Sequence, residues 1–511
     1  FVEADDVTIS GLEIGPNTSG ENKTIEVIGN NFTLKNSFIS GDGIDGGVPY
    51  VNDWRYDDVN DIAYVESYTF DNNLFGPCSQ ISISSGAGGS GPVSGRQITN
   101  NQFTNGTGQN WPSISFNGTG GAGWFTYPVG GAEITGNTFT NDSYGAEQWI
   151  RARGEYLEGQ FDWASYWNDN TYDNATVAYQ TSLADPRPYA YSTFTNVRRI
   201  GAKIQVEIDT VAQAGDTVLV NEGTYPESPT IDESLTLLSD DGRDVTFIEL
   251  QTGTNYTHSL LISGAEVTVD GFTVVGIDGV CPTLASTNIY VDQQTDNVVI
   301  KNNRIQVGAI DGCSNGDDGI GIITPFTANP DINSLLVEDN IFEPLNAAGQ
   351  RAYYINPSVV DFTARGNVIN GQFNGTAASE AQDNLIENNT INGTGTSGGF
   401  VLAGYADPTV WGHGTIQNNT ILDTATGVII VDTQDVLVTK NIITDTDRGV
   451  RVTFSSNPNF DESTIHINRN AITGSTTFGI QNQLNQADYG DIDGTCNWWR
   501  ASDGPGPVGP G

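Results

Sequence analysis

Ile386-Glu387-Asn388-Asn389-Thr390-Ile391 is one copy of a short phrase that recurs along the chain. The phrase consists of an apolar residue, a polar residue, Asn or a similar residue, a second Asn, any residue, and an apolar residue. Other copies lie at 34–38, 71–75, 98–103, 134–139, 300–305, 337–342, 365–369, 416–421, 438–443 and 467–472. The second Asn of successive copies recurs every 22 to 37 residues. The shortest interval corresponds to one coil of a three-sided β-solenoid, and the longer ones leave room for loops.

The chemistry of the phrase supports this interpretation. Alternating stretches such as Val267-Thr268-Val269 send every second side chain into a core. Asn tolerates left-handed backbone, so it suits a sharp corner between two strands, and Asn amides on successive coils can bond in a ladder. The alternative is an array of β-sandwiches with Asn-rich hairpin turns, in which one phrase would have no reason to recur at coil-like spacing.

The amino-acid composition excludes several classes of function. The 511 residues include 62 acidic and 20 basic ones, giving a formal net charge of −42. A chain without a cationic surface is not a general nucleic-acid binder and does not dock on anionic membranes. No apolar run is long enough for a membrane span. With 61 Gly and no Met, the composition favours short strands joined by tight turns.

A second passage indicates the domain organisation. Residues 204–212 have the apolar spacing of an amphipathic helix, and Ala214-Gly215-Asp216-Thr217-Val218 runs on towards Gly223-Thr224-Tyr225. This passage resembles the N-terminal capping helix and first coil of the right-handed parallel β-helix, or pectin-lyase-like, superfamily, most closely its secreted and cell-surface repeat proteins. The resemblance implies an all-β fold of two consecutive solenoids. We predict a first solenoid over 1–180 with an aromatic end near 161–172, a linker over 181–200, a second solenoid over 201–495 with its capping helix near 203–213, and a Trp cap and Gly/Pro tail over 496–511.

The two ends of the chain differ. Val7-Thr8-Ile9-Ser10-Gly11 is already a mid-coil phrase with no capping helix before it, so we expect either a truncation or processing site, or an open end that pairs with a partner. At the other end, Trp498 and Trp499 are expected to cover the apolar core.

No convincing active site emerges from the motifs. Polygalacturonase-like hydrolases of this superfamily use an Asp cluster, a Gly-His-Gly motif and a basic motif, which Asp317, Asp318, His413 and Arg451 resemble in order. The Asp pair precedes His413 by three or four coils, so the four residues are expected to be too far apart for joint catalysis. Lyases of the superfamily use Arg or Lys, often with calcium, and no cationic cluster stands out in the sequence.

Other candidate sites are acidic turns, cysteines and glycosylation sequons. Closely spaced carboxylates suit calcium, the only cofactor that we predict; they are Asp42, Asp45, Asp317, Asp318, Asp491 and Asp493. Cys281 and Cys313 lie 32 residues apart and could bridge neighbouring coils; otherwise all four cysteines, with Cys78 and Cys496, are buried thiols. Asn-x-Ser/Thr sequons begin at Asn17, Asn22, Asn31, Asn105, Asn117, Asn141, Asn174, Asn255, Asn374, Asn388, Asn392 and Asn418.

These observations favour an extracellular or cell-surface structural protein: a filament, sheath or surface-layer subunit, or an adhesin stalk, self-associating through exposed solenoid ends or edges. We therefore do not expect catalytic activity to be its main function. The alternative is a carbohydrate-active enzyme, hydrolase or lyase, or a glycan-binding module, with aromatic residues between Trp111 and Trp167 lining its groove.

Overall fold

A computed structural model describes the strands and corners of the chain. The described residues are 2, 4–15, 25–40, 49–51, 65–76, 79–84, 93–104, 112–117, 130–140, 148–153, 160–162, 165–166, 169–172, 177–180, 197–201, 204–205, 208, 214–249, 258–276, 287–308, 319–327, 331–345, 351–373, 377–404, 412–453, 462–483 and 491–500. Two compact units are present: residues 1–212 with 216–221, and residues 213–215 with 222–511. In each unit a coil contributes one strand to each of three parallel sheets, here called A, B and C in the order in which the chain enters them.

The first unit begins as a regular parallel solenoid. Sheet A contains Thr8–Ser10, Phe32–Lys35, Tyr68–Asp71, Arg96–Thr99 and Glu133–Thr135. Sheet B contains Glu13–Ile14, Phe38–Ile39, Leu74–Phe75, Gln102–Thr104, Thr138–Thr140 and Thr171–Tyr172. Sheet C contains Ile25–Val27, Pro49–Val51, Ile81–Ser84, Ile114–Asn117 and Gln148–Arg153. A short 3₁₀ turn, Val93–Gly95, precedes one strand of sheet A.

Antiparallel strands end the parallel stack of the first unit. Val197–Gly201 pairs antiparallel with both Gln148–Arg153 and Val177–Gln180, and the latter also pairs with Asp216–Val220. Part of the segment predicted as a linker is therefore a strand of the first unit. Of the predicted capping helix, the structure describes Ile204, Gln205 and Ile208, which are helical and also belong to the first unit.

The second unit repeats the coil more often. Sheet A contains Leu235–Ser239, Thr268–Asp270, Val298–Lys301, Ile332–Glu338, Val359–Arg365, Asp383–Glu387, His413–Gln417, Val436–Thr439 and Ile465–Asn468. Sheet B contains Gly223–Tyr225, Thr246–Glu249, Thr273–Val275, Arg304–Val307, Ile341–Pro344, Val368–Asn370, Thr390–Asn392, Thr420–Leu422, Ile442–Thr444 and Ala471–Thr473. Sheet C contains Thr230–Ile231, His258–Ile262, Thr287–Val291, Ile320–Ile323, Arg351–Ile355, Ala377–Ser379, Gly398–Ala403, Thr426–Val431, Arg448–Thr453 and Phe478–Asn482. A 3₁₀ turn, Glu462–Thr464, precedes the last strand of sheet A.

The repeated phrase forms the corner between sheets A and B, and its two Asn positions have different roles. The first position has left-handed backbone, with φ of 56° at both Asn388 and Asn418. The second position is buried, and its amide bonds to the same position one coil further on: Asn389 Nδ2 donates to Asn419 Oδ1 at 3.0 Å. This ladder runs through Asn303, Asn340, Asn367, Asn389, Asn419, Asn441, Asn470 and Asn497 in the second unit and through Asn73, Asn101, Asn137 and Asn170 in the first.

Aromatic residues near the end of the first unit lie in its core. Phe75, Phe103, Phe139 and Tyr172 stack along sheet B with ring centroids 4.7 to 5.0 Å apart. Phe116, Trp149, Phe161 and Tyr166 belong to the same buried cluster. The described aromatic residues between positions 111 and 167 therefore fill the interior, and the groove expected for them on the alternative hypothesis is not formed by these side chains.

The last coil of the second unit is covered by one of the two tryptophans. The Trp499 ring lies against Gly479, where it occupies the space that a Cβ would need. Trp498 pairs with Ala471 as a single bridge, but its side chain is 54% exposed. Cys496 is an exposed free thiol, so the expectation of four buried thiols is wrong for this residue.

Candidate functional site

Sheet C of the second unit carries unusual side chains on its outward surface. Along each strand, residues alternate between the core and the outside, and the outward position next to the strand centre forms a column across the coils. The column runs through Leu261, Tyr290, Ile323, Tyr354, Ala378, Val401, Ile429, Arg451 and Gln481. Ile323, Ala378 and Val401 in this column are buried, whereas Tyr290, Tyr354 and Arg451 are partly exposed. Partly exposed aromatic and basic side chains beside a buried apolar cluster mark this side of sheet C as a candidate ligand site.

A cluster of three chemically active side chains lies at Tyr354. The Tyr354 hydroxyl donates a hydrogen bond of 2.9 Å to Glu380 Oε1. The Arg351 guanidinium carbon lies 4.1 Å from the centroid of the Tyr354 ring, in cation–π geometry. Arg351 and Tyr354 belong to the same strand, whereas Glu380 follows the neighbouring strand Ala377–Ser379. The parallel register therefore brings the three residues together, because Ile355 pairs with Ser379.

The environment of Glu380 changes its protonation. The residue is fully buried, and burial raises the pKa of its carboxyl from 4.5 to about 7, although the hydrogen bond from Tyr354 and the charge of Arg351 act in the opposite direction. Apolar side chains pack on the same outward surface, namely Ala378, Val401, Ala403 and Val431. A carboxyl group with this pKa can accept or release a proton near neutral pH.

Several polar atoms of the cluster lack a hydrogen-bond partner among the described residues. They are Glu380 Oε2, Arg351 Nε and, one residue beyond the end of the Arg351 strand, Asn356 Oδ1. Buried polar groups are nearly always paired, and unpaired ones concentrated in one place are typical of binding sites whose ligand completes the hydrogen bonds.

Sheet C also collects basic side chains that are far apart in the sequence. Arg448 and Arg451 lie in the strand Arg448–Thr453 of the same sheet as Arg351. Arg448 pairs with Asp447 at 2.8 Å, whereas Arg451 Nε donates to the neutral amide oxygen of Gln483 at 2.9 Å. Arg451 lies four coil steps from Tyr354 in the column, which is about 19 Å at about 4.8 Å per step, so these arginines add positive charge to sheet C but do not belong to the cluster at Tyr354.

The candidate residues chosen from the sequence are placed differently. His413 begins a strand of sheet A, and Arg451 lies in sheet C, so the structure does not bring these two together. Asp317 and Asp318 lie outside the described residues, as do Asp42, Asp45, Cys78, Cys281 and Cys313. The sequence analysis missed Arg351, Tyr354 and Glu380, which belong to no motif and are brought together only by the register of the coils.

Two of the candidate calcium ligands, Asp491 and Asp493, lie within the described residues. Asp493 accepts hydrogen bonds from the Thr495 amide and hydroxyl and lies 3.4 Å from His466, and these contacts lower the pKa of its carboxyl. In the described part of the chain, no three His, Cys, Asp or Glu side chains are grouped as metal ligands. Calcium binding stays a prediction, and no step of the chemistry below depends on it.

The described sequons lie mostly at the corners. Asn31, Asn388 and Asn418 are exposed and have left-handed backbone, whereas Asn117 and Asn392 are partly buried in strands. The remaining sequons lie outside the described residues, and glycosylation stays a prediction. Within the described residues, helices long and apolar enough to cross a membrane are absent.

Comparisons with known proteins agree with the fold. Residues 337–490 match the model of the "Right handed beta helix region". A curated relative, the uncharacterized protein YwoF of Bacillus subtilis (strain 168), is 24% identical over 176 residues, which are 32% of this chain and 36% of the relative. The match thus spans about a third of that relative's length.

Two solved structures with a similar fold are alginate lyases. An alginate lyase of the PL6 family aligns with 96% of this chain and 77% of its own, at 13% identity and a TM-score of 0.35. An alginate lyase from Paenibacillus sp. str. FPU-7 aligns with 55% of this chain and 96% of its own, at 15% identity and a TM-score of 0.31.

These two solved structures correct two expectations drawn from the sequence. We expected a filament, sheath, surface-layer or stalk protein and did not favour an enzyme, whereas the solved structures that the chain resembles are named as polysaccharide lyases. The expectation went wrong because it relied on the absence of a catalytic motif. The predicted fold is confirmed: the chain forms a parallel β-helix of three-sheet coils with an Asn ladder, and residues 337–490 match the right-handed β-helix model.

Proposed function

We propose that this protein is a carbohydrate-active enzyme that cleaves an acidic polysaccharide outside the cell by β-elimination, with its active site on sheet C of the second unit. The observation that supports the proposal is the Tyr354 hydroxyl, held 2.9 Å from the buried carboxyl of Glu380 and next to Arg351. Such a group of proton donor, proton acceptor and cation supplies what elimination next to a uronate carboxylate requires.

The chemistry can be assigned residue by residue. Elimination removes the proton on the carbon next to the uronate carboxylate; its electron pair forms a carbon–carbon double bond, and the glycosidic C–O bond breaks. Arg351 would bind the carboxylate and stabilise the negative charge that develops there. Tyr354 would take the proton from the carbon while its own hydroxyl proton passes to the Glu380 carboxylate, and would then deliver a proton to the departing glycosidic oxygen as Glu380 returns its proton to Tyr354. The net result moves one proton from the carbon to the leaving oxygen, and Glu380, which is buried, does not itself reach the substrate.

Elimination fits the cluster better than hydrolysis. A glycoside hydrolase needs two carboxyl groups about 5 to 10 Å apart on either side of the bond. In the cluster itself Glu380 is the one described carboxyl, and it is bonded to Tyr354; Asp432 follows the strand two coils further on, about 10 Å along the axis. Hydrolysis by this pair would leave Tyr354 and Arg351 without a part in the reaction, whereas elimination uses both. The arginines of sheet C would also offset, locally, the repulsion that a net charge of −42 exerts on a uronate polymer.

The proposal is tested by incubating the protein with polymannuronate, polyguluronate and polygalacturonate and recording the absorbance of the unsaturated product. We expect one of these polymers to be cleaved and Tyr354→Phe to reduce kcat by about a hundredfold or more, because the proton-transferring hydroxyl is lost while the ring remains. The matched control is Tyr353→Phe, which removes a hydroxyl from the neighbouring residue of the same strand, whose side chain is buried in the core. New reducing ends without the unsaturated chromophore would indicate hydrolysis instead, and full activity of Tyr354→Phe would refute the assigned site.

A further inference from the structure

The outward surface of sheet C extends beyond the Arg351–Tyr354–Glu380 cluster. Tyr290 lies two coils before Tyr354 in the same column, with Ile323 between them, because Tyr290 pairs with Ile323 and Ile323 pairs with Tyr354. Two coil steps separate the two tyrosines by about 10 Å along the solenoid axis. Both side chains are partly exposed, while their strand neighbours Ile289 and Tyr353 are fully buried.

Tyr290 belongs to an aromatic pair. The His258 ring stacks on the Tyr290 ring with centroids 5.8 Å apart and an interplanar angle of 30°. Burial lowers the pKa of His258 and raises that of Tyr290, so both rings are uncharged at neutral pH. An uncharged and partly exposed pair of stacked rings presents a flat apolar face of the kind on which sugar rings pack.

The coil between the two tyrosines adds a third aromatic side chain. Phe326 follows the strand Ile320–Ile323 by three residues and is 68% exposed, the highest exposure among the large hydrophobic side chains that the structure describes. A Phe side chain this exposed contributes little to the core. Phe326 thus belongs to the coil between those of Tyr290 and Tyr354, just beyond the end of its strand of sheet C.

We infer that Tyr290 with His258, and Phe326, form binding subsites for a polysaccharide chain that lies along the solenoid axis, so that the preferred substrate is an extended polymer and not a short oligosaccharide. This inference rests on the proposed function and extends it. A short oligosaccharide would contact Tyr354 and Arg351 alone, whereas a longer one would also cover the Tyr290 surface two coils away. On this inference, the polar atoms near Tyr354 serve the chemistry, and the aromatic side chains beyond it bind the polysaccharide chain.

The test measures binding and cleavage separately. Isothermal titration in the Tyr354→Phe background uses trimers and octamers of polymannuronate, polyguluronate and polygalacturonate, with Tyr290→Ala, Phe326→Ala or the control Phe478→Ala added. Phe478 is an aromatic residue of the same sheet, 43% exposed and remote from the cluster. We expect Tyr290→Ala and Phe326→Ala each to weaken octamer binding about three- to tenfold, as the loss of an aromatic contact does. Trimer binding, and octamer binding by Phe478→Ala, should not change.

The outcomes separate the two proposals. Octamers that bind no more tightly than trimers, or that bind equally well to all variants, would overturn the extended subsites even if the enzyme cleaves a polymer. Conversely, octamer binding that depends on Tyr290 and Phe326, without cleavage by the unsubstituted protein, would uphold the subsites and refute the lyase. Circular dichroism of each variant establishes that the solenoid is folded before binding is compared.

Discussion

Replacing Glu380 with Gln should change the pH dependence of stability in a defined direction. Gln keeps the size of the side chain and an oxygen that accepts the hydrogen bond from Tyr354, but it does not titrate. Because the folded protein raises the pKa of Glu380 from 4.5 to about 7, the folded state holds a proton there over a pH range in which the unfolded chain has lost it. The free energy of unfolding must therefore fall as the pH rises through this range.

The magnitude follows from the two pKa values. One pH unit corresponds to about 1.4 kcal/mol, so the difference between 4.5 and about 7 is equivalent to about 3 kcal/mol. Below pH 4.5 the carboxyl is protonated in both states and the penalty is absent. Above pH 7 the full penalty applies, and Glu380→Gln should there be more stable than the unsubstituted protein by up to about 3 kcal/mol.

The assay is urea unfolding of both proteins at pH 4, 6 and 8, followed by the fluorescence of the tryptophans. The quantity compared is the difference between the two free energies of unfolding, which cancels the contributions of all other titrating groups. A difference that grows from near zero at pH 4 to a few kcal/mol at pH 8 would support the buried carboxyl. An equal difference at all three pH values would refute the raised pKa, and a less stable Glu380→Gln at pH 8 would show that the charged carboxylate is paired in the folded protein.

Further predictions concern the coil and the site. Asn389→Ala should destabilise the second unit by about 3 kcal/mol or more in urea unfolding, because it leaves the Ala364 carbonyl and the Asn367 amide groups without their hydrogen-bond partners. The control Asn388→Gly, at the neighbouring exposed position with left-handed backbone, should have little effect. Gly427→Ala should lower the Tm strongly because its Cβ would lie 2.6 Å from both the Gly449 oxygen and Ile443 Cγ2, while Gly15→Ala, with open space around it, should not. If Glu380 exchanges protons with Tyr354, the pH–rate profile of Glu380→Gln should lose the ionisation near pH 7; an unchanged profile would assign that ionisation to another group.

The repeat in the sequence predicts the fold because its physics is local to one coil. Residues that alternate in hydrophobicity and a corner that needs a left-handed residue recur in every copy, so a single phrase determines the three-sheet coil. The phrase does not distinguish its two Asn positions, which the structure separates. The first is also occupied by Gly366 and Lys440, because only the backbone conformation matters there. The second stays Asn from Asn303 to Asn497 because its amide must both donate and accept within the ladder.

The candidate site was not predictable in the same way, because it depends on register between coils and not on spacing within one. Arg351 and Glu380 are 29 residues apart, and no short motif joins them. Their proximity depends on how many loop residues each coil contains, which varies between copies of the phrase. A solenoid can thus acquire a catalytic cluster by substitutions in neighbouring coils while its fold-determining phrase stays intact. The absence of a catalytic motif from a β-helix sequence is for this reason weak evidence against an enzyme, and the register of outward side chains on sheet C is the better place to look.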